Sequence, residues 1–138
     1  EAGRYEYDPD NPAGTDERTL IMGAFDTAFP VAAAGTFYVA NVAWEIPVDF
    51  GPVSKLTFYN DYSLLAKDQA SYPHSQINTT GCLVSAPPVF THVDLIIGRN
   101  APFLGLPGDT SGVGMGLGQG ESGAGWSTRF NINVGYYF

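Results

Sequence analysis

The last twelve residues of the chain, STRFNINVGYYF at positions 127–138, decide the fold. Successive side chains of a β-strand point to opposite faces of a sheet, so every second residue shares a face. From position 130 onwards, the residues of one such set are all apolar or aromatic: Phe130, Ile132, Val134, Tyr136 and Phe138. The other set holds an arginine, two asparagines and a glycine before its final tyrosine. The stretch therefore predicts a strand over 127–138 with one apolar face and one mainly polar face.

The same alternation of apolar and polar residues recurs earlier in the chain. It is clear over 36–50, 55–65 and 89–98, and weaker near 4–8, 20–29 and 77–86. Glycine or proline interrupts nearly every window long enough for three helical turns, and β-branched and aromatic residues dominate the rest. We therefore predict an all-β chain with seven strands of about ten residues, the length at which a tilted strand crosses a bilayer.

Composition narrows the class of protein. Hydrophobic residues make up 44% and aromatic residues 14%, which is too apolar for a disordered chain. Charged residues reach 14%, against roughly 25% in ordinary soluble domains. The net charge of −8 and the scattered positions of the six basic residues argue against nucleic acid as a partner, which needs clustered lysine and arginine. The single cysteine, Cys82, excludes an internal disulfide.

The predicted strands are joined by connections of two lengths. Tight turns are expected at 51–52 and 86–88, whereas 67–76 is a polar loop. The longest connection is 99–126, and it holds nine of the 17 glycines. Alternating short and long connections are typical of outer-membrane barrels, whose periplasmic turns are short and whose extracellular loops are long. We therefore expect 99–126 to be a glycine-rich extracellular loop.

Two environments would suit the apolar faces of these strands. A soluble sheet turns its apolar face to a core, and a membrane barrel turns it to lipid, so alternation alone leaves both open. The aromatic residues favour the barrel, because we expect them mainly near strand ends, where girdles lie at the two membrane interfaces. These residues are Tyr38, Trp44, Phe58, Tyr59, Tyr62, Phe90, Tyr136 and Phe138. The predicted fold is thus a transmembrane antiparallel β-barrel.

The polar faces of the strands hold the candidate functional residues, which we expect to line a pore. They are Glu45, Asp49, Lys55, Asp61, His92, Asp94 and Arg129. Rings of acidic residues favour cations and rings of basic residues favour anions. Because four acids face two bases here, we expect this part of the wall to favour cations mildly.

Signals for catalysis or for a cofactor are weak. The segment 118–123 matches G-x-G-x-x-G, but it lies in a glycine-rich loop that leads into a strand, whereas a dinucleotide site follows a strand and begins a helix. His92 and Asp94 share one strand face about 7 Å apart, which is too far for a direct orienting hydrogen bond. We therefore expect no enzymatic activity, no cofactor and no bound metal.

Three segments carry a resemblance to a known family: FYNDYS at 58–63, VDLIIGRNAPFLG at 93–105 and WSTRFNINVGYYF at 126–138. Together they resemble the C-terminal part of Gram-negative porins akin to the phosphate-selective porin O and P group. The ending at Phe130, Ile132, Val134, Tyr136 and Phe138 resembles the signal by which barrels are handed to their assembly machinery. Basic residues are outnumbered by acids, so phosphate selectivity is not expected.

The resemblance implies an outer-membrane barrel of about sixteen strands, usually trimeric, through which small solutes or ions diffuse. Residues 1–138 would be a single segment of such a barrel. With Phe138 on the periplasmic side, seven strands put the start of the first strand outside, so we expect other strands or other chains to complete the barrel. The alternative is a small self-standing barrel, or a secreted β-sandwich with a structural or adhesive role.

Overall fold

The computed structural model of the chain describes residues 1–9, 18–24, 27–70, 72–101 and 125–138, and these residues form an all-β structure. Eight strands are present within them. They are β1 (Ala2–Glu6), β2 (Thr19–Ala24), β3 (Thr27–Ala32), β4 (Ala34–Phe50), β5 (Val53–Lys67), β6 (Ser75–Ala86), β7 (Val89–Arg99) and β8 (Ser127–Tyr136). The prediction of an all-β chain is confirmed.

Six of the strands form one antiparallel sheet in the order β1-β4-β5-β6-β7-β8, and β2 pairs with β3 in a separate hairpin. The hairpin corrects the prediction of a single strand over 20–29 and raises the strand count from seven to eight. Only two polar residues, Asp26 and Thr27, interrupt that segment, and alternation alone did not divide it into two strands.

The connections of the sheet are sorted by length between its two edges. The turns at 51–52 and 87–88 lie at one end of the strands together with Phe138, and we call this end of the sheet the turn edge. Gly51 has a φ of +56°, a left-handed conformation that favours glycine in so short a turn. The connections 7–33, 68–74 and 100–126 leave and re-enter the sheet at the opposite end of the strands, the loop edge. The predicted alternation of short and long connections is confirmed, although residues 102–124 of the predicted loop 99–126 lie outside the described residues.

Strand parity differs from the prediction. The sheet contains six strands, and β1 runs towards the loop edge and ends there. Seven strands would instead have put the start of the first strand at the loop edge. The prediction was wrong because it counted the segment 20–29 as a strand of the sheet, whereas the β2–β3 hairpin lies in the connection between β1 and β4.

The described sheet does not close on itself. Strands β1 and β8 each pair on one side only, and β1 covers β4 only along Ala34–Tyr38. The remaining edge of β4, residues 40–50, has no strand partner in the described part of the chain. What the structure establishes is therefore an open antiparallel sheet.

The sheet has almost no buried apolar core. The buried apolar residues of the described part are Ala32, Ala33, Tyr72 and Ala101, and all four belong to the connections at the loop edge or border them. Large side chains within the sheet are instead exposed, among them Trp44 at 73% and Val134 at 66%. Packing between layers therefore cannot be what holds the six strands together, and the hydrogen-bond ladder carries that role.

One polar atom of the sheet is buried without compensation. The Oγ1 atom of Thr57 in β5 has no hydrogen-bond partner among the described residues. A buried hydroxyl without a partner destabilises a fold, and an apolar group of the same shape removes that cost.

We expect Thr57→Val to raise the free energy of unfolding by about 1 kcal/mol, measured by urea unfolding in detergent. Thr79→Val is the control, because the Thr79 hydroxyl is not buried in this way. A loss of stability in Thr57→Val would show that the hydroxyl has a partner that the described residues do not include.

Candidate functional site

The ladder divides the sheet into two faces, because residues directly opposite in antiparallel strands point to the same side. One continuous row across the sheet is Trp44, Phe58, Cys82, Val93 and Ile132, and we call the side that carries it the apolar face. A neighbouring row on the other side is Ala43, Tyr59, Gly81, Asp94 and Asn131, and we call this side the polar face. The predicted separation into two faces is confirmed across β4 to β8.

The register brings most of the predicted pore-lining residues onto the polar face. Six of them share it: Glu45, Lys55, Asp61, His92, Asp94 and Arg129. Asp49 lies where the register between β4 and β5 shifts by one residue, between Pro47 and Phe50, and it is opposite no residue of β5. Their function as a pore lining stays a prediction.

A hydrogen-bonded cluster lies at the centre of the polar face. The Tyr59 hydroxyl donates to Oδ1 of Asp94, and Nδ2 of Asn131 donates to the other carboxylate oxygen at 3.1 Å. Nδ1 of His92 lies 3.0 Å from the same hydroxyl. The hydroxyl has one hydrogen, which it gives to Asp94, so the contact with His92 is satisfied when Nδ1 is protonated and donates. Tyr59 thus links His92 and Asp94, which lie too far apart along β7 for a direct hydrogen bond.

Gly81 allows Tyr59 to reach β7. It lies between Tyr59 and Asp94 in the ladder, and the tyrosine ring crosses over it. A Cβ atom at position 81 would be 2.5 Å from Cζ of Tyr59 and would also collide with Oδ1 of Asp94. Sequence reasoning did not single out Gly81, because nothing in its own neighbourhood shows which residue faces it across the strand.

Two further pairs complete the polar face near this cluster. Nδ2 of Asn41 donates to Oδ1 of Asp61, and Nζ of Lys55 lies 2.7 Å from Oε1 of Glu45. Since Lys55 and Glu45 compensate each other, the predicted residues that remain are Asp61 and Asp94, against Arg129. Lys67 also belongs to the polar face, but it is buried at the end of β5, where its Nζ donates to the carbonyl oxygen of Pro73 at 2.9 Å. An open groove of about 440 Å³ runs between these groups and is lined by Asn41, Ala43, Tyr59, Asp61, Thr79, His92 and Asp94.

The aromatic residues of the sheet lie near strand ends only in part. Tyr136 and Phe138 stack at the turn edge with ring centroids 6.2 Å apart. Trp44 and Phe58 instead lie in a row through the middle of the sheet, because β4 and β5 extend well beyond them in both directions. Tyr59 and Phe90 belong to the polar face. Their place on that face agrees with the alternation in the sequence. The expectation of positions near strand ends is wrong for Trp44, Phe58 and Tyr59.

The strand predicted over 127–138 is observed as β8, which ends at Tyr136, and its role as an assembly signal stays a prediction. Its apolar residues lie on the apolar face and are exposed; they are Phe130, Ile132, Val134 and Tyr136. Phe138 follows the strand and is fully exposed. One edge of β8 pairs with β7, and its other edge has no partner in the described residues.

Other kinds of site are not indicated in the part of the chain that the structure describes. There, no group of His, Cys, Asp and Glu side chains could hold a metal ion. The same residues contain no helix that is long and apolar enough to cross a membrane. The segment 118–123, with its G-x-G-x-x-G pattern, lies outside the described residues.

Comparison of the chain with protein-family models, with curated proteins and with solved structures finds no match.

We expect Gly81→Ala to displace the Tyr59 ring and to destabilise the protein by about 1–3 kcal/mol, because a methyl group there overpacks the cluster. Unfolding in detergent measures the loss. In a double-mutant cycle with Tyr59→Ala, the cost of Gly81→Ala should fall, since the ring it displaces is gone.

Gly135→Ala serves as the matched control. It also changes a glycine within a strand, but a Cβ at that position would have no neighbour closer than 3.8 Å. A similar loss of stability in Gly135→Ala and Gly81→Ala would contradict the role given to Gly81.

Proposed function

We propose that this chain forms part of the wall of a porin in the bacterial outer membrane, through which small hydrophilic solutes or ions diffuse passively and without enzymatic conversion. The observation that carries the proposal is that the two faces of one sheet differ in polarity. The apolar face presents large uncovered hydrophobic side chains, while the polar face holds Glu45, Lys55, Asp61 and Asp94 in ion pairs or hydrogen bonds.

The size of the apolar surface favours lipid over water. Val42 is 67% exposed and Trp44 is 73% exposed, and exposed large apolar residues recur on β5, β7 and β8. On this face β6 contributes Asn78 and Thr80, whose polar groups are hydrogen-bonded to Asn60 of β5. Contiguous apolar patches on soluble monomers rarely exceed a few hundred Å². Fully burying one such side chain contributes about 1.5–3 kcal/mol, so a lipid environment would stabilise a face that water does not.

The dimensions of the sheet fit a bilayer. Strand β7 spans ten residue steps from Val89 to Arg99, which is about 33 Å along the strand. At a tilt of about 40–45°, this length covers a height of about 25 Å, the height of the apolar band of outer-membrane barrels. The sorting of short turns and long connections to opposite edges supports the same orientation, with the turn edge on the periplasmic side.

Closure of the barrel needs strands beyond the six of the sheet. An unpaired strand edge within lipid leaves backbone groups without partners, at several kcal/mol each, so the free edges of β1 and β8 require neighbours. We propose that further copies or other chains supply them, in a barrel of about sixteen strands that assembles as a trimer. In this proposal β8 is the strand that the barrel assembly machinery binds.

A secreted β-sandwich or a small self-standing barrel is the alternative. A sandwich would cover the apolar face with a second sheet, and no described element covers it. Solubility discriminates between the classes: a sandwich stays monomeric in buffer without detergent, whereas the porin wall aggregates unless detergent or lipid is present.

The lipid-facing role of the apolar face predicts that a charge placed there is costly. We expect Ile132→Arg to lower the free energy of unfolding in bilayers by about 2–4 kcal/mol. Asn133→Arg puts the same charge one residue further along β8 on the polar face, and it should change stability little. Equal effects of the two variants would argue against a bilayer on the apolar face.

The remaining acids of the polar face predict weak cation preference. We expect Asp61→Asn combined with Asp94→Asn to reduce the cation preference measured from reversal potentials in planar bilayers. Glu45→Gln combined with Lys55→Gln removes one charge of each sign and should leave it unchanged. A reversal potential that does not respond to the aspartate changes would show that the polar face does not line the conducting path.

A further inference from the structure

The positive charges of the apolar face lie at one edge. Arg4 in β1 is opposite Thr36, and Arg99 in β7 is opposite Gln76; both pairs belong to the apolar face near the loop edge. Lys55, Lys67 and Arg129 are the other basic residues in the described strands, and the register assigns them to the polar face. Within the described strands, the turn edge of the apolar face therefore carries no positive charge.

The two arginines differ in how their charge is balanced. The guanidinium of Arg4 is 2.8 Å from a carboxylate oxygen of Asp68 and 3.1 Å from one of Glu6. Arg99 has no carboxylate within ion-pair distance among the described residues. Its Nε donates to Oε1 of Gln76 at 3.1 Å, which is a neutral partner. Arg99 thus keeps a positive charge that no described carboxylate compensates.

Trp126 holds the Arg99 guanidinium at this position. Cζ of Arg99 lies 5.0 Å from the centroid of the indole ring, and Trp126 is 57% exposed. A tryptophan beside an arginine at the end of an apolar surface is typical of a membrane–water interface, where the ring lies at the level of the headgroups. With Nε bonded to Gln76 and one face over the indole, the terminal amino groups remain as donors for an external acceptor.

We propose that Arg99, positioned by Gln76 and Trp126, binds the phosphate of an anionic lipid headgroup in the leaflet at the loop edge. Phosphate accepts two parallel hydrogen bonds from a guanidinium, which a planar, permanently charged group provides better than lysine. One basic residue near an anionic lipid surface strengthens binding to that surface about fivefold. This inference rests on the proposed function, because it needs the apolar face to lie in lipid.

The chain's two tryptophans allow separate tests of insertion and of headgroup binding. Trp44 lies in the middle row of the apolar face and Trp126 lies beside Arg99. The full chain is folded into phosphatidylcholine vesicles that contain either brominated phosphatidylcholine or brominated phosphatidylglycerol. Quenching of Trp44 in a Trp126→Phe variant reports insertion, and quenching of Trp126 in a Trp44→Phe variant reports which lipid occupies the site.

We expect brominated phosphatidylglycerol to be preferred over phosphatidylcholine at Trp126 by about fivefold. Arg99→Gln should abolish this preference, whereas Arg129→Gln should keep it. Arg129 is the matched control, because it removes the same charge on the neighbouring strand but from the polar face.

Three outcomes would overturn the inference: no preference in the parent protein, an unchanged preference in Arg99→Gln, or an equal loss in Arg129→Gln. Displacement of the lipid by inorganic phosphate, but not by chloride at equal ionic strength, would assign the site to the free ion and overturn it too. If Trp44 is quenched in these cases, the lipid-facing role of the apolar face survives. If Trp44 is not quenched in any vesicle, the membrane proposal fails together with this one.

Discussion

The backbone hydrogen-bond ladder is the constraint on which the rest of this structure depends. Most proteins hold their strands together partly by burying apolar side chains between layers, but the described sheet buries almost none. The ladder between β4 and β8 is continuous except for the shift near Pro47. A slip of one residue in any pair would move Trp44 or Ile132 to the polar face, so register and the separation of the two faces are the same property.

The polar face shows what a fixed register makes possible. Tyr59, Gly81 and Asp94 come from three strands and meet because they share one row of the ladder. The glycine lets the ring cross its strand, and the hydroxyl then links the imidazole of His92 to the carboxylate of Asp94. Such satisfied networks keep charged groups in place without a buried core around them. At the loop edge, Arg99 at the end of β7 likewise lies beside Trp126, which precedes β8.

Most of the sheet could be predicted from alternation, because each strand carries its own pattern of faces. The strands around Leu56, Val93 and Ile132 were predicted within a few residues, and six of seven candidate polar residues share one face. The pair of β2 and β3 was missed because only two polar residues, Asp26 and Thr27, separate two short apolar runs. Aromatic residues were placed less well: periodicity assigns Trp44 to a face but says nothing about its height in the sheet, which depends on how far β4 extends.

The order of residues along the chain by itself determined which positions form strands, which side of each strand is apolar, and where short and long connections fall. These are local properties, since the period of two is built into the extended backbone. Only the tertiary structure decided which residues meet across strands, such as Tyr59 with Asp94 or Arg99 with Trp126. Those meetings depend on register, and register is set jointly by turn lengths, by the shift near Pro47 and by pairing between distant segments, none of which one strand's pattern contains.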